Sequence, residues 1–174
     1  PEMQKQVFVA NHTTMTDTAI LLQHNIYSLV GQMHSSVYVS FVQKVAMRSM
    51  NCVWFNRGDN RDRAKVAQTL TNHAHNVNGD LQPLLIFPEG TCVNNDFVVQ
   101  FKKTVFDLDR DIAICPIAIK YNKSFVDAYW ISSQEGFLSY LFRLMRSFCL
   151  VCDVWYMDPM YRAEDETAIQ FAAR

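Results

Sequence analysis

Hydrophobic positions along the chain fall into short apolar runs separated by longer amphipathic stretches. Val7-Phe8-Val9-Ala10 is an unbroken β-prone run, the pattern of a strand buried on both faces. Asn11 to Thr16 is polar and turn-like, and from Asp17 the spacing of Ala19, Ile20, Leu21 and Leu22 predicts a helix capped by Thr16 or Asp17. A second strand is expected over 26–30, a helix over 37–50, and a third strand at Cys52-Val53-Trp54-Phe55. Residues 61–75 read as a helix with Ala64, Val66, Ala67 and Leu70 inward, broken by Gly79-Asp80. Leu84-Leu85-Ile86-Phe87 is a fourth strand, ended by Pro88 and Gly90, and 112–119 a fifth. Pro116 within the fifth predicts a bulge, an edge or a strand end. A sixth strand over 151–156 and a last helix over 163–173 complete the series. Strands separated by helical patterns of about ten to fifteen residues imply crossover units. The expected fold is α/β, a single domain over 1–174 with a mostly parallel central β-sheet flanked by helices.

One segment breaks the amphipathic rule. Over 137–149, Phe137, Leu138, Tyr140, Leu141, Phe142, Leu144, Met145 and Phe148 cover most of a helix whose charges are Arg143 and Arg146. Burial is the favoured reading. The alternative is a bilayer surface with the arginines toward headgroups.

Composition narrows the functional classes. Apolar residues make up 49% of 174 and charged ones 19%, which excludes a disordered tail. With 16 basic and 17 acidic side chains the net charge is −1, so the basic excess of a phosphate-neutralising nucleic-acid binder is missing. Cys52, Cys92, Cys115, Cys149 and Cys152 are too scattered for a disulfide framework and suit free thiols in a reducing compartment. Cys149-x-x-Cys152 has no second pair, and His73 and His75 have no evident metal partners, so no metal site is expected. Trp54, Trp130 and Trp155 read as core residues. The chain opens at Pro1 without an initiator methionine and stops at Arg174 within a helical pattern, so it reads as an excerpt of a longer protein.

Parallel sheets gather ligands in the loops past the carboxyl ends of their strands. Three such loops carry chemistry. His12 and Asp17 are five positions apart, which on one helix would place them about 140° apart. They meet only if His12 stays on the loop and Asp17 begins the helix. A carboxylate against one imidazole nitrogen fixes the tautomer and leaves the other nitrogen as a general base. Arg57 follows the third strand and is a planar donor suited to phosphate. Pro88-Glu89-Gly90-Thr91 is a tight turn where Gly90 lets backbone approach a ligand and the Thr91 hydroxyl can donate to an anion.

Taken in order, these blocks resemble those of the phosphate-substrate acyltransferases of the glycerolipid pathway, the PlsC-like superfamily. Asn11-His12 through Asp17 matches the N-H-x-x-x-x-D block, and Val53-Trp54-Phe55-Asn56-Arg57 the second block. Ile86-Phe87-Pro88-Glu89-Gly90-Thr91 matches the third, and Ile114-Cys115-Pro116-Ile117-Ala118-Ile119 the fourth. Finer features, including Thr91-Cys92-Val93-Asn94-Asn95, Phe101-Lys102-Lys103 and Lys120-Tyr121-Asn122, resemble the endoplasmic-reticulum glycerol-3-phosphate acyltransferases. Asn51, Asn56, Cys92 and Thr104 depart from the usual patterns.

The resemblance implies an acyl-CoA-dependent transferase that makes lysophosphatidate from glycerol-3-phosphate. His12 and Asp17 would be catalytic; Arg57, Glu89, Gly90, Thr91, Lys102 and Lys103 would bind substrate, with Glu89 orienting Arg57 or receiving a glycerol hydroxyl. Direct transfer is expected, since no Gly-x-Ser-x-Gly elbow is present and no cysteine lies in the His12 loop. Acyl-CoA is then a co-substrate, with no resident cofactor. The implied location is the endoplasmic reticulum membrane with the domain facing the cytosol. A lysophospholipid acceptor, a CoA thioesterase and a non-catalytic lipid-binding module are the competing readings.

Overall fold

The computed structural model describes residues 5–32, 50–55, 60–75, 81–131 and 133–174. Six strands form one sheet in the order β3-β2-β4-β1-β5-β6. They are β1 (Gln6–Ala10), β2 (Ser28–Gln32), β3 (Val53–Phe55), β4 (Leu84–Ile86), β5 (Ala113–Asn122) and β6 (Val151–Tyr156). All neighbouring pairs are parallel except β5 with β6, so the expected α/β architecture is the one observed. The described helices are α1 (Thr16–Leu21), α2 (Asn60–Ala74), α3 (Phe137–Met145) and α4 (Ala168–Ala173). A short 3-10 turn spans Val105–Asp107.

Strand alternation divides the core into two layers. Val7 and Val9 of β1, Leu84 and Ile86 of β4, and Ile114 of β5 share one face with Leu70 and Ala74 of α2, Phe106 of the 3-10 turn, and Phe171 of α4. Ala10, Leu85, Ile117, Ile119 and Tyr121 take the other face, with Leu21 of α1 and with Tyr27 and Leu29. Both faces of β1 and β4 are therefore covered, which is why their sequences are unbroken apolar runs.

Several boundaries move from their expected places. The second strand starts at Ser28, and Ile26 lies exposed in the preceding turn. The last helix starts at Ala168, where Thr167 and Gln170 form a reciprocal capping box. At α1 neither expected cap operates: Met15 occupies the cap position without a side-chain bond, and Asp17 is the second helical residue. Pro116 stands inside β5, where the ladder to β6 begins only at Ile117. On that side Met157 donates to the Pro116 carbonyl at 3.0 Å and Met160 pairs with Ile114. The chain between Met157 and Met160 bows out opposite the proline, which lacks a donor to offer it.

Of the two readings offered for residues 137–149, burial or an exposed apolar surface, the structure shows the exposed surface. Only Tyr140 of α3 is buried, while Leu138, Phe142 and Met145 are exposed, as is Phe148 beyond it. Spaced by four and then three residues, the three helical side chains share one face. Phe125 joins them through a ring contact with Phe148 at 6.1 Å. Arg143 turns inward, donating to Glu135 and to the carbonyls of Asp127 and Tyr129. Arg146 is exposed. Trp130 is buried as expected, whereas Trp155 on edge strand β6 is half exposed.

Candidate active site

β1 and β4 are adjacent and parallel, so the loops leaving their carboxyl ends emerge side by side. The loop after β1 carries His12 to Thr14, and the loop after β4 carries Pro88 to Cys92. Their backbones are joined where Val93 donates to the His12 carbonyl at 2.7 Å. The 3.6-residue repeat brings Asp17, on the first turn of α1, back over this junction.

His12 Nδ1 lies 2.9 Å from Asp17 Oδ2. The same oxygen accepts from the Thr13 and Thr14 amides at 2.7 and 3.0 Å, and Oδ1 accepts from the Tyr121 hydroxyl at 2.5 Å. Asp17 is fully buried, and four donors are what a buried carboxylate needs. The His12 ring is stacked on Phe87 with centroids 4.3 Å apart. With Nδ1 engaged by Asp17, Nε2 is the nitrogen left to exchange a proton with a substrate. Burial, the largest single influence, disfavours the imidazolium. The hydrogen bonds with Asp17 and with the Cys92 thiol outweigh it and bring His12 to about 9.

Glu89 has a structural employment that the sequence did not foretell. Its Oε2 accepts from the His12 backbone amide at 2.7 Å. Burial pushes its carboxyl above the ordinary range, with the His12 amide pulling the other way. Gly90 has φ of 70°, the left-handed region, and a Cβ placed there would collide with the Lys102 ammonium. The Lys102 side chain therefore lies across the turn, and its amide donates to the Pro88 carbonyl at 3.0 Å. Thr91 and Lys103 are exposed on the same two segments. Arg57 lies outside the described residues.

Besides Tyr121, four partners were missed in the sequence, or quoted there without a role. Asn11 copies a strand neighbour: its side chain accepts from the Ile119 amide at 2.7 Å and donates to the Ile119 carbonyl at 2.9 Å. Asn95 accepts from the Tyr121 amide at 2.9 Å and donates to Thr13 Oγ1 at 2.9 Å. Tyr140 of α3 bonds Thr14 Oγ1 and so pins α3 onto the His12 loop. Cys92, absent from that loop in sequence, is brought against His12 by the second loop. For Asn11 the available signal was its position at a strand exit; Cys92 and Asn95 lie further along the loop after β4, and Tyr140, on α3, carried no signal.

Away from this edge, His75, Asp109 and Asp111 bring their ligand atoms within 4.8 Å of one another, partners the sequence did not reveal. Asp109 and Asp111 precede β5, at the opposite end of the sheet, and Asp111 is already ion-paired with Lys5.

The sequence model of the family described as Acyltransferase matches residues 1–120. Over 168 residues the chain is 44% identical to glycerol-3-phosphate acyltransferase 4 of Mus musculus, covering 97% of this chain and 36% of that protein. It is 45% identical over 168 residues to glycerol-3-phosphate acyltransferase 3 of Homo sapiens, covering 97% and 38%. A glycerol-3-phosphate acyltransferase 3-like protein of Danio rerio is 45% identical over 169 residues, covering 97% and 37%. The chain thus spans little more than a third of the length of these curated relatives.

Proposed function

This chain belongs to the Acyltransferase family, and from that premise we propose that it moves the acyl group of acyl-CoA onto the first hydroxyl of glycerol-3-phosphate, giving lysophosphatidate and CoA. The observation that carries the reading is the His12–Asp17 pair at 2.9 Å at the mouth of the sheet. The names of the relatives support this choice of acceptor.

A thioester carbonyl is already electrophilic, and the difficult partner is the alcohol. Nε2 of His12 takes the hydroxyl proton as the alkoxide oxygen attacks the acyl carbon. The C–O bond forms, the C–S bond breaks, and the departing sulfur collects the proton from the imidazolium. Asp17 holds the tautomer that leaves Nε2 without a proton and stabilises the positive ring formed in the step. Because the free site favours the imidazolium up to about pH 9, the base form grows, and kcat/KM with it, as pH rises through that range. Lys102, lying across Gly90, supplies positive field for the acceptor's phosphate, joined by Lys103 and Arg57, and the Thr91 hydroxyl donates a hydrogen bond to it. Glu89 serves the base indirectly, through the His12 amide. As drawn, the step uses acyl-CoA as a co-substrate and calls for no resident cofactor.

The working surface in this reading is a membrane. Among the described residues no helix is long and apolar enough to cross one. The exposed Leu138, Phe142, Met145 and Phe148 instead suit contact with lipid, and Arg146 suits the headgroups. α3 is fastened to the His12 loop through Tyr140, so the stripe borders the reacting centre. An acyl chain stays in lipid by about 0.8 kcal/mol for each buried methylene. Five unpaired cysteines suit the cytosolic side of the endoplasmic reticulum.

The test supplies radiolabelled palmitoyl-CoA to the full-length protein with glycerol-3-phosphate, a lysophospholipid or buffer alone, and repeats each with His12→Ala. Product with glycerol-3-phosphate that His12→Ala abolishes is the expected result. Product only with a lysophospholipid would transfer the reading to that acceptor. Free acid alone would mean hydrolysis, and no product in any arm would leave a lipid-binding module.

A further inference from the structure

Two oxygens of one buried carboxylate divide their work in this site. Asp17 Oδ2 meets His12 Nδ1 and the Thr13 and Thr14 amides, all local to the loop. Oδ1 meets a single donor from a distant part of the chain, the Tyr121 hydroxyl on β5. We propose that Tyr121 is a positioning residue for acyl transfer, fixing the plane of the Asp17 carboxylate and drawing charge away from the oxygen that faces His12. The proposal rests on the dyad reading given above and extends it to a residue in the sheet.

The geometry supports a directed tie rather than a convenient bond. Rotation of a carboxylate about its last torsion is soft, so donors on one oxygen alone fix its plane weakly. Tyr121 is 4% exposed, packed among Leu21, Ile117 and Ile119, and cannot swing away without burying its hydroxyl unpaired. Burial first, and the neighbouring Asp17 charge second, raise the phenol well above its ordinary value, so it donates at every working pH. Its backbone is fixed in turn, since the Tyr121 amide donates to Asn95 Oδ1, and Asn95 Nδ2 donates to Thr13 Oγ1. Loop, strand and carboxylate close into one ring of bonds.

Removing the hydroxyl while keeping the ring isolates the effect. In Tyr121→Phe the Asp17 charge concentrates on Oδ2, the imidazolium is favoured further, and the base becomes scarcer at neutral pH. We expect the His12 midpoint to move upward by roughly half a pH unit or more, and kcat at neutral pH to fall about tenfold, with KM for both substrates unchanged. Leu29→Ala is the control: Leu29 belongs to the same apolar layer but lies on β2, with β4 between it and β1. It should lower the melting temperature and leave the His12 titration where it was.

The experiment is an NMR titration of the His12 ring in the full-length protein and both variants, paired with steady-state kinetics. An upward midpoint and a kcat loss confined to Tyr121→Phe support the tie. An unmoved midpoint, or a loss that appears in KM alone, overturns it, as does a matching shift in Leu29→Ala. The titration needs no substrate, so it judges the tie even where the His12→Ala assay rejects acyl transfer.

Discussion

Asparagine at position 17 would separate the charge of the dyad from its shape. Asn has the size of Asp and one carbonyl oxygen, which can keep the three bonds now made by Oδ2 to His12, Thr13 and Thr14. Its amide nitrogen takes the place of Oδ1, where the Tyr121 hydroxyl can turn to accept. The loop geometry is thus preserved and the negative charge is lost. In the parent, burial pulls His12 down while Asp17 and Cys92 hold it up at about 9. With Asp17 neutral, the midpoint should return toward the ordinary value of about 6.5. That fall amounts to about 3 kcal/mol of charge interaction, at roughly 1.36 kcal/mol per pH unit. The positive ring formed during transfer loses the same counter-charge, so kcat should drop by about 10²–10⁴-fold even where the imidazole is fully unprotonated. The assay is an NMR titration of the His12 Cε1 proton from about pH 5 to about 10, assigned with His12→Gln. Asp17→Asn protein whose ring still titrates near 9 would refute the electrostatic account of the site.

Three further outcomes follow from other parts of the structure. His12 is raised on folding, so its contribution to stability is fully present below about pH 6.5 and is lost as pH rises through about 9; the urea midpoint should decline over that window, and less steeply in His12→Gln. Gly90→Ala puts a side chain at φ of 70° against the Lys102 ammonium, which should cost about 1 kcal/mol in a urea melt and raise KM for glycerol-3-phosphate severalfold, with kcat changed little. An unchanged KM would remove Lys102 from phosphate binding. A tryptophan at position 142, in full-length protein held in vesicles containing brominated phosphatidylcholine, should be strongly quenched, because Phe142 is 63% exposed on the stripe proposed to meet lipid; unquenched emission would place that face against water or protein.

The fold was legible because its strands are apolar on both faces. Val7 to Ala10 and Leu84 to Ile86 could not be half-exposed strands, and the stretches between them have helical spacing or length. The dyad was legible for a local reason, since five residues across a loop-to-helix junction can close on themselves. Its supports were not. Tyr121 and Asn95 lie 104 and 78 positions beyond Asp17 in the numbering, and no periodicity links them to it. Composition left two readings open at α3, because a helix apolar on most sides can be buried or exposed, and only the packing separates them. The bond from Glu89 to the His12 amide was not foreseen, because a main-chain donor 77 positions away leaves no mark in the side-chain pattern.

The two asparagines that stand in for strand neighbours set a lower limit on what could be grafted elsewhere. Asn11 and Asn95 complete the edge of β5 with side-chain amides, each using both its oxygen and its nitrogen, and the Asn95 nitrogen reaches the Ile119 carbonyl at 3.2 Å as well as Thr13. A transplant of the imidazole and carboxylate into a foreign sheet would arrive without that scaffolding, and its loop would settle wherever the host's own main chain allowed. The portable unit is therefore the pair together with both amides and the strand end they clasp.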